Sequence, residues 1–343
     1  MIKTASSIYL PLQDISRWVA DPIGKIVQEA FKNISSKEII EEIRLRVNQP
    51  IAVRTDKKDY FLPIKTLAGN KEQTYIVTKE DLVTSLEKMT FSSIYAAEEK
   101  LRQGFLTLPG GHRVGLAGET VVEFGRIKTL KNISALNIRL ARQCEVEVSG
   151  LLVSLMNKNK NFCHTLLVSP PRAGKTTILR LLIRHLSNGL PQIGLEGQVV
   201  GVVDERSEIA GMCQGIPAFD LGCRTDVLDC CPKALGINML IRTMSPAVVA
   251  VDELGGAEDI AAVKDAIRCG VKVLATVHAD SLEELKKREH IKELLTNNAF
   301  ERVVVLSRAY GPGTIEGIYD LNSGINLRPI KKELPFAKSN SCC

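Results

Sequence analysis

A lysine that follows glycine at the start of a helix, with a hydroxyl residue directly after it, is an arrangement suited to holding phosphate. Ser169-Pro170-Pro171-Arg172-Ala173-Gly174-Lys175-Thr176-Thr177 has this form, after the apolar run Thr165–Val168 and before a helical pattern over Ile178–Leu186. That strand-loop-helix context is the one a P-loop requires. Backbone amides around Ala173–Thr177 are expected to face the α and β phosphates of a nucleotide at the positively polarised helix N-terminus. Lys175 is expected to reach the β and γ phosphates, and the Thr176 hydroxyl to ligate Mg²⁺. The loop departs from G-x-x-x-x-G-K-[ST] at its first position, where Ser169 carries a Cβ in place of glycine. That substitution is expected to restrict the turn and to lower nucleotide affinity.

A P-loop also needs a carboxylate at the end of another buried strand. The run Val248–Val251 ends in Asp252-Glu253. Asp252 is read as the metal-side carboxylate, and Glu253 as the group that orients and deprotonates an attacking water, which distinguishes a hydrolase from a kinase. An Asp-Glu pair after a strand is otherwise an ordinary solvated turn; its pairing with Lys175 gives it chemistry. Between these blocks lies a further run, Val199–Val203, ending in Asp204-Glu205-Arg206-Ser207-Glu208. A strand inserted there is typical of the RecA-like branch of P-loop proteins. Asp204, Glu205 and Glu208 are expected to organise the metal and its water from behind. His278, at the end of Val271–Val277, is placed to donate from its imidazole to the γ phosphate, although a lone histidine is more often structural.

The elements that must hold these residues divide the chain. After Arg142 the short apolar runs Thr165–Val168, Val199–Val203, Val248–Val251, Val271–Val277 and Val303–Leu306 alternate with helical patterns, as buried parallel strands do. The fold class expected is α/β: a RecA-like P-loop ATPase domain with a mainly parallel sheet over 146–343, preceded by a smaller α+β domain over 1–145. In the first half, Asp21-Pro22 starts a helix carrying Ile23, Val27 and Phe31, and Ile43–Val47 and Ile51–Val53 read as strands joined through 48–50. Thr78 with Asp81 forms a capping box before Leu82, Val83, Leu86 and Met89. A helix with Ile94, Tyr95, Ala97 and Leu101 is expected to end at Gly104, followed by a hairpin from Phe105–Leu108 into Val114–Leu116.

Taken together, the P-loop, the acidic box Asp204–Glu208, the acidic strand Val248–Glu253 and the His box Thr276–Asp280 resemble the secretion-type ATPases of type II and type IV export and pilus machines. The resemblance is closer to the stage III sporulation protein AA family of endospore-forming bacteria. It is carried by Ala173–Thr177, Val203-Asp-Glu-Arg-Ser-Glu-Ile-Ala210, Ile241-Arg-Thr-Met-Ser-Pro246, Val251-Asp-Glu253 and Gly110-Gly-His-Arg-Val-Gly115. It implies a cytoplasmic ATPase using ATP and Mg²⁺, a homo-hexamer, and membrane-embedded partners in a secretion-like complex between mother cell and forespore. Two departures matter: the acidic box lacks the usual Asp-Pro, and Asp252-Glu253 stands where secretion-type strands commonly end in Gly-Glu. Ring ATPases place an arginine on a neighbour's γ phosphate. Arg224, Arg242, Arg113 and Arg139 are the candidates, and the sequence does not rank them.

Composition narrows the alternatives. The 343 residues are 45% hydrophobic and 24% charged, which excludes a disordered chain. The formal charge of +6 permits an acidic partner without demanding one. Aromatics make up only 5%, so a single-stranded nucleic acid would find few stacking platforms, and no stable nucleic-acid partner is expected. The N-terminus lacks the apolar core of a signal peptide and no run is long enough to span a bilayer, so a cytosolic protein, peripheral at most to the membrane, is expected. Nine cysteines, with Cys213, Cys223, Cys230 and Cys231 close in sequence but no C-x2-C spacing, read as reduced thiols. Two rivals to a motor remain: a nucleic-acid-dependent RecA-like ATPase, with Arg44, Arg46 and Arg54 as its basic hairpin, and a scaffold that binds nucleotide only to set assembly geometry.

Overall fold

The structure is a computed structural model that describes residues 15–34, 38–65, 72–91, 101–142, 146–296 and 299–327. The helix expected around Ile94, Tyr95 and Ala97 and the tail with Cys342 and Cys343 lie outside them, as does the expected domain boundary at 145. The chain forms two compact units, one from 15–142 with the four residues 213–216, the other from 146–212 and 217–327.

In the first unit, β1 (Ile40–Arg46), β2 (Ala52–Thr55), β3 (Asp59–Phe61), β4 (Phe105–Thr107), β5 (Arg113–Glu123) and β6 (Arg126–Arg139) form an antiparallel sheet of order β3-β2-β1-β6-β5-β4. Helices α1 (Asp21–Ile34) and α2 (Lys79–Met89) contribute Ile23, Val27, Phe31, Leu82 and Met89 to one core with Ile43, Leu45, Val114 and Ile138. The Thr78–Asp81 capping box is formed in full. Val83, expected on the buried face of α2, is exposed instead. Leu82, Ser85 and Met89 already define the inward face, and Val83 is turned about 100° from Leu82. The long β5–β6 hairpin escaped the sequence reading. Its outer half is exposed on both faces, so no alternation marks it, and its turn is Phe124-Gly125, both at positive φ (51° and 72°) as a two-residue type I′ connection requires.

The second unit is built on an eight-stranded sheet. Its strands are β7 (Thr165–Ser169), β8 (Val200–Asp204), β9 (Thr225–Asp229), β10 (Val248–Val251), β11 (Lys272–His278), β12 (Arg302–Ser307), β13 (Thr314–Asp320) and β14 (Ile325–Asn326), in the order β9-β8-β10-β11-β7-β12-β13-β14. The pairs from β9 through β12 are parallel, and β13 and β14 add an antiparallel edge. The P-loop strand β7 is thus separated from the acidic strand β10 by β11, the RecA-like order. Burial on both faces explains the unbroken apolar runs. Leu167, Val248, Ala250 and Leu274 face one core with α3 (Lys175–Asn188), while Leu166, Val168, Val249 and Val251 face the other with α4 (Lys233–Met244) and α5 (Ala257–Arg268). β9 was not anticipated, because Thr225-Asp-Val-Leu-Asp229 is a half-buried strand at the sheet edge with two acids in five residues.

Candidate nucleotide site

The carboxyl ends of β7, β10 and β11 and the N-terminus of α3 converge, and the residues that close them are the ones the sequence marks. Ser169 belongs to the strand: it is register-paired with His278, fully buried, and its hydroxyl donates to the Pro170 carbonyl at 3.1 Å. The turn takes its positive φ at Arg172 (61°) and Gly174 (81°), so the Cβ of Ser169 meets no left-handed backbone and the expected restriction does not arise there. Gly174 is the position that cannot change. A Cβ on it would lie 2.9 Å from the Gly313 nitrogen, in a backbone conformation that L side chains rarely adopt.

Lys175 opens α3 and is 6% exposed, and its ammonium nitrogen is buried without a hydrogen-bond partner among the described residues. Burial depresses its pKa, opposed by Asp252, Glu253 and Glu208. A buried, unpartnered cation is costly unless an anion completes it. The α3 N-terminus adds backbone amides with no intrahelical acceptor, so donors of both kinds face one place. A triphosphate fits this donor set.

Asp252 stands one residue beyond β10. Its two oxygens accept from two threonines: Oδ2 from Thr176 Oγ1 at 3.3 Å, and Oδ1 from Thr276 Oγ1 in a short bond. Thr276 in turn accepts the Glu253 amide at 2.8 Å, and its carbonyl accepts the Leu254 amide at 2.8 Å. Thr276 is fully buried and holds the whole acidic turn to β11. It was missed in the sequence, although period-two alternation along β11 puts 276 and 278 on one face and the parallel register Val251↔Ala275 places Thr276 beside Asp252. The hydroxyl of Thr176 with the carboxylate of Asp252 makes a hard-oxygen pair of the kind that Mg²⁺ takes. Glu253 has a left-handed backbone (φ 51°), a strained conformation for a non-glycine residue. Its carboxylate is held between Arg206 Nη1 at 3.1 Å and His278 Nε2 at 3.7 Å. His278 Nδ1 is buried and has no hydrogen-bond partner among the described residues. Arg206 is a second residue to which the sequence reading assigned no role.

The acidic box divides into separate tasks. Asp204, expected behind the metal, uses both oxygens on its own loop: Oδ1 accepts the Glu208 amide at 2.8 Å, Oδ2 those of Ile209 at 3.0 Å and Ala210 at 2.8 Å. Burial pushes its pKa up to about 6 against the pull of those amides. It anchors the loop. Glu205 forms a short ion pair with Lys233, and Asp204, Glu205 and Glu208 all line one hollow together with Asp252 and Glu253. Arg180, on α3, donates to the Glu208 and Ile209 carbonyls at 2.9 and 2.8 Å, so the loop is held through its amides by Asp204 and through its carbonyls by Arg180.

The arginine candidates lie elsewhere. Arg224 precedes β9 and donates to the Ser187 carbonyl at 3.0 Å at the far end of α3. Arg242 is exposed in the last turn of α4, about 13 Å along the helix from Lys233 beside the hollow. In the first unit Arg113 stacks on Phe105 at 4.1 Å and Arg139 pairs with Glu42 at 3.3 Å. Of the basic hairpin, Arg44 is paired with Glu42 at 2.6 Å and Arg54 approaches Asp59 at 3.9 Å.

The family model described as sporulation stage III, protein AA, matches residues 12–327. The chain belongs to that family. It is 41% identical over 313 residues to the stage III sporulation protein AA of Bacillus subtilis (strain 168), covering 89% of this chain and 97% of that protein. A 28% identity over 262 residues links it to the uncharacterized protein ycf45 of Porphyra purpurea, covering 76% of this chain and 43% of that one. Among solved structures it is similar to the Legionella pneumophila ATPase DotB (TM-score 0.52, 12% identity, 83% of this chain and 75% of that chain). It is also similar to the pilus retraction motor PilT with bound ADP (TM-score 0.51, 14% identity, 82% and 76%). At such identities the likeness is one of fold: this member of the sporulation family has the RecA-like fold of secretion ATPases. Among the described residues no helix is long and apolar enough to cross a membrane.

Proposed function

We propose that the protein is an ATP-hydrolysing, Mg²⁺-dependent motor of a secretion-like complex in endospore formation. The observation that carries this reading is the ammonium of Lys175, buried and unpartnered beside a paired Thr176–Asp252 and a strained Glu253. Lys175 and the amides of α3 hold the β and γ phosphates. Thr176 and Asp252 hold Mg²⁺, which when bound offsets phosphate charge. Glu253, aimed by Arg206 and His278, accepts a proton from the attacking water as its oxygen bonds to the γ phosphorus and the bond to the β-phosphate oxygen breaks. His278 then has its imidazole at the γ-phosphate end. Asp204, Glu205 and Glu208, which line the hollow with Asp252 and Glu253, organise the metal and its water from behind, and Asp204 also anchors the loop.

Neither Arg224 nor Arg242 serves its own site, so a role for either is on a ring neighbour's γ phosphate. A homo-hexamer with membrane-embedded partners follows from the same reading, with an N-terminal domain over 1–145 as its ring-building and docking module and 146–343 as the ATPase. The hairpin turn at Phe124, 98% exposed, supports docking by the first unit. Steady-state ATP turnover on the purified full chain tests the proposal: Lys175→Ala should lose both binding and turnover, and Glu253→Gln should keep binding and lose turnover. Failure of the wild type to bind any nucleoside triphosphate with Mg²⁺ would sink it. Sporulation unaffected by Glu253→Gln would favour the scaffold, and salt-sensitive stimulation by DNA or RNA the nucleic-acid-dependent enzyme.

A further inference from the structure

The phosphate-binding end accounts for only part of a nucleotide. The strand order shows where the rest must go. β7 is flanked by β11 on one side and β12 on the other. Asp252, Glu253 and His278 all lie on the β11 side, so the γ phosphate faces that way, and the ribose and base leave toward β12. There the chain turns from β12 into β13 through Arg308-Ala-Tyr-Gly-Pro-Gly313. This turn is a wall of the P-loop: the Gly313 amide donates to the Ala173 carbonyl at 2.7 Å, and the close approach of Gly174 to Gly313 leaves no room for a Cβ.

The turn is also tied across itself by hydrogen bonds. The Tyr310 amide donates to Thr314 Oγ1 at 3.3 Å, that hydroxyl donates to the Gly311 carbonyl at 2.6 Å, and the Ala309 amide donates to Ser307 Oγ at 3.2 Å. Gly311 sits at φ 113°, where a side chain would be strained. On this hydrogen-bonded frame Tyr310 is 65% exposed. Phe162, Phe219 and Phe300 of the same unit are all buried and Tyr319 is partly so; Tyr310 is the one exposed aromatic ring among the described residues of that unit. An aromatic side chain held out of the core on a hydrogen-bonded turn beside a phosphate loop offers a face to another flat ring.

We infer that the β12–β13 turn is the base subsite of the nucleotide, with Tyr310 as a stacking platform for a purine. The inference rests on the phosphate-site reading above and adds the class of base. A ring face responds to stacking area more than to hydrogen-bond pattern, so purine nucleotides bind more tightly than pyrimidine nucleotides and ATP and GTP differ little. Removing the ring weakens nucleotide binding on the order of ten- to hundredfold. Calorimetric titration of the full chain with Mg-ATP and with Mg-tripolyphosphate, which has no base, separates the two readings. Tyr310→Ala should weaken ATP by tenfold or more and leave tripolyphosphate unchanged, with Tyr310→Phe close to wild type; Lys175→Ala should abolish both. Unchanged ATP affinity in Tyr310→Ala, or an equal loss for both ligands, would overturn the base subsite while leaving the phosphate site standing. A wild type that binds neither ligand would remove both readings.

Discussion

Replacing Thr276 by valine tests whether the acidic turn is positioned or merely present. The two side chains have nearly the same shape, and the site is fully buried, so packing is retained. Two hydrogen bonds go: the one Thr276 donates to Asp252 and the one it accepts from the Glu253 amide. A bond to a charged acceptor contributes about 1.5–3 kcal/mol and a neutral one about 1 kcal/mol. The Asp252 carboxylate then keeps a single threonine donor, the 3.3 Å bond from Thr176, and the left-handed Glu253 loses the bond at its amide. If only the charged bond appears in the transition state, kcat falls roughly tenfold to a hundredfold, since about 1.4 kcal/mol is one decade. Steady-state ATP turnover with urea unfolding as a control measures this. KM should change little, because Lys175 and the α3 amides are untouched, and Thr276→Ser should restore most of the rate. A valine variant that is folded and turns over ATP within twofold of wild type would refute the positioning argument.

Asp204→Asn addresses the anchor of the acidic box. A carboxyl raised from 3.8 to about 6 by burial binds its proton more tightly in the folded state, so its contribution is full below pH 4 and is lost as pH rises to about 6. The unfolding free energy of wild type relative to Asp204→Asn, from urea titrations, should therefore fall across pH 4–6 by a difference on the order of 3 kcal/mol; parallel curves would show that Asp204 does not titrate there. Gly174→Ala places a Cβ against the Gly313 backbone at positive φ. It should lower stability by about 1–2 kcal/mol and abolish nucleotide-induced stabilisation, measured by thermal melts with and without Mg-ATP; an alanine variant as stable and as responsive as wild type would remove the close-packing argument.

Much of the proposed site is marked by residues that are neighbours in sequence. The roles proposed for Gly174-Lys175-Thr176 and Asp252-Glu253 rest on adjacent residues, and unbroken runs such as Val248–Val251 identify strands buried on both faces. Other parts were hidden for equally physical reasons. Thr276 is an ordinary strand residue until β11 is inserted between β7 and β10, and only then does its hydroxyl meet Asp252. Arg206 looks like one charge among many until the loop folds it toward Glu253. Strand β9 and the outer half of the β5–β6 hairpin lack a fully buried face, so the hydrophobic pattern that identifies an element is absent from them.

The sequence alone therefore determined which groups could hold phosphate, metal and water, since donor type, charge and adjacency along the chain are properties of the residues themselves. Tertiary structure decided how those groups are used. It turned Asp204 inward onto three amides of its own loop, put the positive φ of the P-loop at Arg172 and Gly174, and brought the Tyr310 turn against Ala173. These outcomes depend on strand order and burial, which set distance and desolvation between residues far apart in the chain, and no local spacing encodes them.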